Sequence, residues 1–140
     1  MAKAAGSFQM SSWNEETYDD GKVRGMTLAT GSQTFSGDIT GYGSVRWLMT
    51  YGADGTARFV GLQKVDGAVA KRHGTFMLEA AGDFDGQLAR WEATVVPGSG
   101  TNELTGLSGS GSFGAEHGTD ATYEIHYQPP GGAHVSKRTA

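Results

Sequence analysis

A chain of 140 residues is the length of one domain, able to bury about two thirds of its unfolded surface without covalent staples. It has no cysteine, which excludes disulfides and thiolate metal sites and fits a reducing compartment. A formal net charge of −4 disfavours a nucleic-acid partner, no stretch approaches the ~20 apolar residues of a membrane span, and the first six residues lack a signal-peptide core, so a cytoplasmic protein is expected.

Glycine is abundant, 23 residues against 3 prolines, and each interior glycine would cost a helix about 1 kcal/mol relative to alanine. The glycines punctuate apolar segments carrying three Trp, five Tyr and six Phe, a pattern of sheets joined by tight turns rather than disorder. Turn signals recur at Asp19-Asp20-Gly21, Ser36-Gly37-Asp38, Ala53-Asp54-Gly55, Asp66-Gly67, Asp83-Phe84-Asp85-Gly86, Pro97-Gly98-Ser99-Gly100 and Glu116-His117-Gly118.

Between them the expected strands are residues 4–12, 23–35, 43–51, 57–65, 74–81, 88–96, 103–113 and 119–127. Phe8 and Met10 alternate with Ser7, Gln9 and Ser11; Phe76, Leu78 and Ala80 with Thr75 and Glu79; Trp91, Ala93 and Val95 with Arg90, Glu92 and Thr94. Period two marks strands with two different faces. Residues 13–20 are an acidic connection, read as a solvated loop pinned by Trp13 in preference to a helical turn or a lid that presents Glu15 to a ligand. Short sequential connections favour an all-β, up-and-down antiparallel barrel of eight strands spanning 1–127, followed by a flexible tail, 128–140, rich in Pro and Gly. Eight strands enclose an interior that side chains fill or that holds one small ligand.

Several motifs bear on chemistry. Gly109-Ser110-Gly111-Ser112-Phe113-Gly114 matches a dinucleotide pattern, but a strand follows where a helix N-terminus is needed, so it reads as a glycine-rich barrel strand. Pro97-Gly98-Ser99-Gly100-Thr101 reads as a hairpin loop before an anion nest. His73, His117, His126 and His134 show no metal-ligand spacing, and there is no nucleophile elbow, so neither a metal nor a cofactor is expected. The large side chains Trp47, Met49, Tyr51, Phe59, Met77 and Trp91 suit either a ligand cavity or a filled core. Gln63 shares the phase of Phe59 and, if inward, must find a partner.

Taken together, Gly6-Ser7-Phe8, Ser12-Trp13-Asn14-Glu15, Ser36-Gly37-Asp38-Ile39-Thr40-Gly41, Leu48-Met49-Thr50-Tyr51, Phe59-Val60-Gly61-Leu62-Gln63, Gly74-Thr75-Phe76-Met77-Leu78 and Val95-Val96-Pro97-Gly98-Ser99-Gly100-Thr101-Asn102-Glu103-Leu104 resemble a bacterial family of small proteins, the domain of unknown function 3224 family. The likeness runs from Gly6 to Tyr127. It implies an allene-oxide-cyclase-like barrel and a tendency to form a homo-oligomer, a dimer or larger. The family pattern usually has Glu where this chain has Gln63, His where it has Ala80, and often an acid where it has Arg46. Those departures remove an acid/base pair and point to a more apolar ligand.

The expectation is a cavity barrel that binds a hydrophobic small molecule and promotes its isomerisation or cyclisation without a cofactor. Glu15, Arg46 and Gln63 are the expected catalytic residues, Glu15 as acid/base and the others orienting or stabilising charge. Trp13, Trp47, Phe59, Met77 and Trp91 are expected to shape the pocket. The alternatives are a non-catalytic binding barrel and a homo-oligomeric interaction protein.

Overall fold

The computed structural model describes residues 2–17, 25–116 and 121–128. Eight antiparallel strands close into one barrel in chain order: β1 (Ala2–Thr17), β2 (Met26–Gly37), β3 (Ile39–Tyr51), β4 (Ala57–Val69), β5 (Arg72–Phe84), β6 (Leu88–Val95), β7 (Ser108–Glu116) and β8 (Ala121–Gln128). β8 returns to pair with β1 over Ala2–Phe8, which closes the sheet on itself. The only helical element among the described residues is one 3-10 turn, Asn102–Leu104.

The alternation expected from sequence sets the faces. On β5, Phe76, Leu78 and Ala80 are buried; on β6, Trp91, Ala93 and Val95 are. Charged side chains such as Arg58, Lys64, Glu79 and Glu92 sit on the exposed face. Apolar inside and polar outside is the reverse of what strands need in lipid. No helix among the described residues is long and apolar enough to cross a membrane.

Ser36-Gly37-Asp38, Ala53-Asp54-Gly55 and Asp85-Gly86 make turns as their sequences indicate. Asp54 caps its own turn through Thr56, and Asp85 accepts from the backbone N–H of Gln87 and Leu88. Asp66-Gly67 does not turn. Both lie inside β4, where a Cβ on Gly67 would sit 2.0 Å from the Thr40 carbonyl oxygen; the glycine serves a close strand approach. The β4–β5 hairpin turns instead at Ala70 and Lys71, both left-handed (φ 49° and 71°) though neither is glycine. The expected strand over 103–113 begins later, at Ser108, because residues 96–107 cross one end of the barrel. The turns expected at 19–21 and 116–118 and the tail from 129 fall wholly or partly outside the described residues, as does the start of the second strand at Val23.

The two ends of the barrel differ. At one end Ile39, Val65, Val69, Phe76, Val95, Ile125 and Tyr127 fill the interior, and Leu104 and Leu107 from the 96–107 crossing are buried over it. That crossing is tied to β5: Ser99 Oγ accepts from Met77 N–H (3.0 Å), Thr101 Oγ1 from Thr75 N–H (2.9 Å), and Glu103 Oε1 from His73 N–H (2.9 Å). The Pro97-Gly98-Ser99-Gly100-Thr101 segment is thus part of a stopper, with its hydroxyls committed to a strand. Across the waist lies an aromatic layer in which Trp91 stacks on Phe113 at 5.2 Å and meets Phe8, Trp47 and Phe59 edge-on. Beyond that layer the barrel is hollow.

Candidate functional site: an apolar chamber at one end of the barrel

The end opposite the stopper holds a cavity of about 230 Å³ among the described residues. At ~30 Å³ per water it has room for roughly eight waters, which suits a small ligand of one ring or a short chain. Trp47, Met49, Phe59, Phe84 and Trp91 wall it, and the small Ala89 and Ala115, paired across β6 and β7, leave the space. Met10 and Trp13 stand at the mouth, Trp13 being 46% exposed.

Trp13 reaches the mouth because β1 is irregular. Its register against β2 shifts between Met10 and Ser12, so Ser11 is an extra residue. Before the bulge, Phe8 and Met10 share the inward phase. After it, Trp13 pairs with Gly31 and Glu15 with Ala29, both on the inward phase of β2. Residues 13–17 are therefore strand, not the expected loop, helical turn or lid; 18–20 lie outside the described residues.

Glu15 is held by three donors: Trp13 Nε1 at 3.0 Å to Oε1, and Thr27 Oγ1 at 2.8 Å and Tyr51 Oη at 2.5 Å to Oε2. Partial burial pushes its pKa up, but the bonds from Tyr51, Trp13 and Thr27 together outweigh that, and the carboxyl lies below its ordinary value. Burial and the Glu15 carboxylate push the Tyr51 hydroxyl up to about 12. Glu15 is thus an ionised clamp on two aromatics of the mouth, with its lone pairs engaged. A carboxylate so stabilised is a weak base, which counts against the acid/base role expected for it.

Gln63 is inward and fully buried, as its phase indicated. It reaches the chamber through Gln33, which sequence reasoning missed. Gln63 Nε2 donates to Gln33 Oε1 at 2.8 Å, and Trp91 Nε1 donates to Gln63 Oε1 at 3.4 Å. Gln33 lines the chamber, is 1% exposed, and its Nε2 has no hydrogen-bond partner. A Cβ on Gly43 would come within 2.9 Å of Gln33 Oε1, so the glycine on β3 makes room for this amide. The available signal was phase: Gln33 alternates with Thr34 and shares the face of Ala29 and Phe35.

Two expected site residues are elsewhere. Arg46 lies on the exposed outer face of β3, because its neighbour Trp47 takes the inward position and successive side chains alternate. Met77 lies between the inward Phe76 and Leu78, so it too faces outward, opposite Lys64 on β4. Neither lines the chamber. Ala80 is buried beside Ala93 and also does not line it. Trp13, Trp47, Phe59 and Trp91 do line it. His126 bonds Glu124 on the outer face; His117 and His134 lie outside the described residues.

On the outer face, Leu48, Val60 and Leu62 are exposed, Val60 by 54%. Leu28, Leu48 and Val60 form one row across β2, β3 and β4; Arg46, Leu62 and Glu79 form the next across β3, β4 and β5.

The sequence model of a family described as "Protein of unknown function (DUF3224)" matches residues 4–127. A crystal structure of a protein with unknown function from the DUF3224 family of Shewanella oneidensis MR-1 is 30% identical to this chain, with a TM-score of 0.75 over 92% of this chain and 98% of that one. No curated protein matches.

Proposed function

Since this chain belongs to the DUF3224 family, whose function is unassigned, we propose a role from the chamber: it binds one small, mostly apolar molecule. The observation that carries this is the contrast between the two ends among the described residues, one filled beneath Leu104 and Leu107, the other holding a cavity walled by aromatics. Apolar walls with few polar groups are the usual character of small-molecule sites. Conversion of the ligand by proton transfer would need a donor or acceptor poised inside. Glu15 is committed to three donors and the Tyr51 proton is held to about 12, which counts against that route.

The test uses wild type and Ala115→Leu, which fills the chamber. Small apolar compounds are titrated while thermal unfolding is followed. A ligand at a hundred times its Kd raises wild-type stability by about 2.7 kcal/mol and leaves the filled variant unmoved. Equal shifts in both proteins, or none in either, overturn the reading. Recovery of the bound compound in altered form would instead restore the cyclase-like expectation.

The outer face supports a second reading, pairing with another copy of this chain. Leu62 lies between Arg46 and Glu79 in one row. A two-fold axis along β4 brings Leu62 onto Leu62, Val60 onto Val60, and Arg46 onto Glu79 of the other copy, so the row is self-complementary in charge around an apolar centre. Solution mass by light scattering checks it: a dimer is expected in the wild type, a monomer in Arg46→Glu, and recovery of the dimer in Arg46→Glu combined with Glu79→Arg. A monomeric wild type refutes it.

A further inference from the structure

The chamber's hydrogen-bonding sense is set by a residue that can act in one way only. An indole N–H donates and never accepts. Trp91 Nε1 faces Gln63, so the Gln63 oxygen must turn toward Trp91. The Gln63 amide nitrogen then points at Gln33 and requires an oxygen there. That leaves the Gln33 amide nitrogen at the end of the relay, buried and without a partner, on a residue that lines the chamber. Reversing either amide alone brings two nitrogens or two oxygens together. Reversing both sets the Gln63 NH2 against the Trp91 N–H. The three residues come from three strands, β6, β4 and β2, and every member but the last is satisfied.

We infer that the chamber selects molecules presenting a hydrogen-bond acceptor, such as a ketone, ester or ether oxygen, to Gln33 Nε2; this rests on the chamber being a binding site. A hydrocarbon of the same shape leaves the amide N–H buried and unpaired, a state costly enough to decide between two otherwise equal ligands. The remaining walls are apolar, so a second polar group on the ligand belongs at the mouth, near Trp13 and Tyr51.

The experiment compares acetophenone with cumene, which replaces the carbonyl oxygen by a methyl group. Binding to the full chain is followed by NMR on the indole N–H signals of Trp13, Trp47 and Trp91, all of which line the chamber, and on the side-chain NH2 of Gln33. Acetophenone is expected to bind about tenfold tighter or more, and to move the Gln33 NH2 signal where cumene does not. In Gln33→Met, which keeps the length and removes the donor, that preference is lost while cumene still binds. Equal binding of the two probes to wild type overturns the acceptor inference and leaves the chamber as an apolar site. Binding of neither overturns the chamber reading and the inference with it. Because the wild-type comparison alone decides, an unfolded Gln33→Met would not shield the idea.

Discussion

Replacing Gln63 by Glu exchanges one NH2 for an oxygen at a position that is 0% exposed. While protonated, the new carboxyl copies the amide. Its O–H donates to Gln33 Oε1, as Nε2 does at 2.8 Å, and its carbonyl accepts from Trp91 Nε1. Once ionised it has acceptors only, loses the bond to Gln33 Oε1, and carries a charge with no water around it. Its folded pKa therefore rises above the unfolded value of about 4.3. The folded state then holds the proton to higher pH than the unfolded chain does. Below the unfolded pKa the variant should match wild type. As pH rises it should lose about 1.4 kcal/mol per unit until the folded pKa is passed. A rise of about two units costs ~2.7 kcal/mol at neutral pH, a substantial part of the ~5–15 kcal/mol that holds a domain together. Urea unfolding of both proteins from about pH 4 to about pH 8 measures the difference. A difference that stays constant across that range would refute the reasoning, because the carboxyl would then titrate as it does in the unfolded chain.

Other perturbations separate the parts of the molecule. Lys71→Gly and Ala70→Asn relieve left-handed backbone at the β4–β5 turn and should each raise stability by up to about 1 kcal/mol, read as a higher unfolding midpoint. Leu104→Ala should cost about 2–5 kcal/mol in urea unfolding, since the side chain is fully buried in the stopper, yet leave binding at the opposite end unchanged. The Glu15–Tyr51 pair should shape both limbs of a stability–pH curve. Glu15, depressed when folded, stabilises above its unfolded pKa and loses that as pH falls through the folded value. Tyr51, raised to about 12, stabilises below its unfolded pKa of about 10 and loses that as pH climbs toward 12. Glu15→Gln should flatten the acid limb and Tyr51→Phe the alkaline one; unchanged limbs would show that the clamp does not form.

Much of the barrel is legible from residue order, for a local reason. Alternation on β5 and β6 places Phe76, Leu78, Trp91 and Val95 inside with no knowledge of their partners. The same rule, applied strictly, excludes Arg46 as a neighbour of Trp47 in the chamber, and Met77 as a neighbour of Phe76. Residue type argued for both, and phase argued against them. Gln33 was missed for the converse reason: its phase was inward, but an amide carries no local sign that it ends a relay begun by Trp91 on another strand.

Two features lie beyond any single strand. The phase of Trp13 and Glu15 depends on the extra residue at Ser11, which shows itself only in the register against β2. Asp66-Gly67 has the composition of a turn, yet the chain runs straight through it because β3 passes close by. The period of two and the glycine rhythm are short-range properties, and they mark out the eight strands and most of their faces. Whether that barrel is hollow depends on the volumes that all eight strands bring to the same height. Ala89 and Ala115 leave space opposite Trp47 and Phe59, while Leu104 and Leu107 fill it at the other end. A volume shared among distant residues exists only once they have been brought together, and so the chamber belongs to the folded molecule.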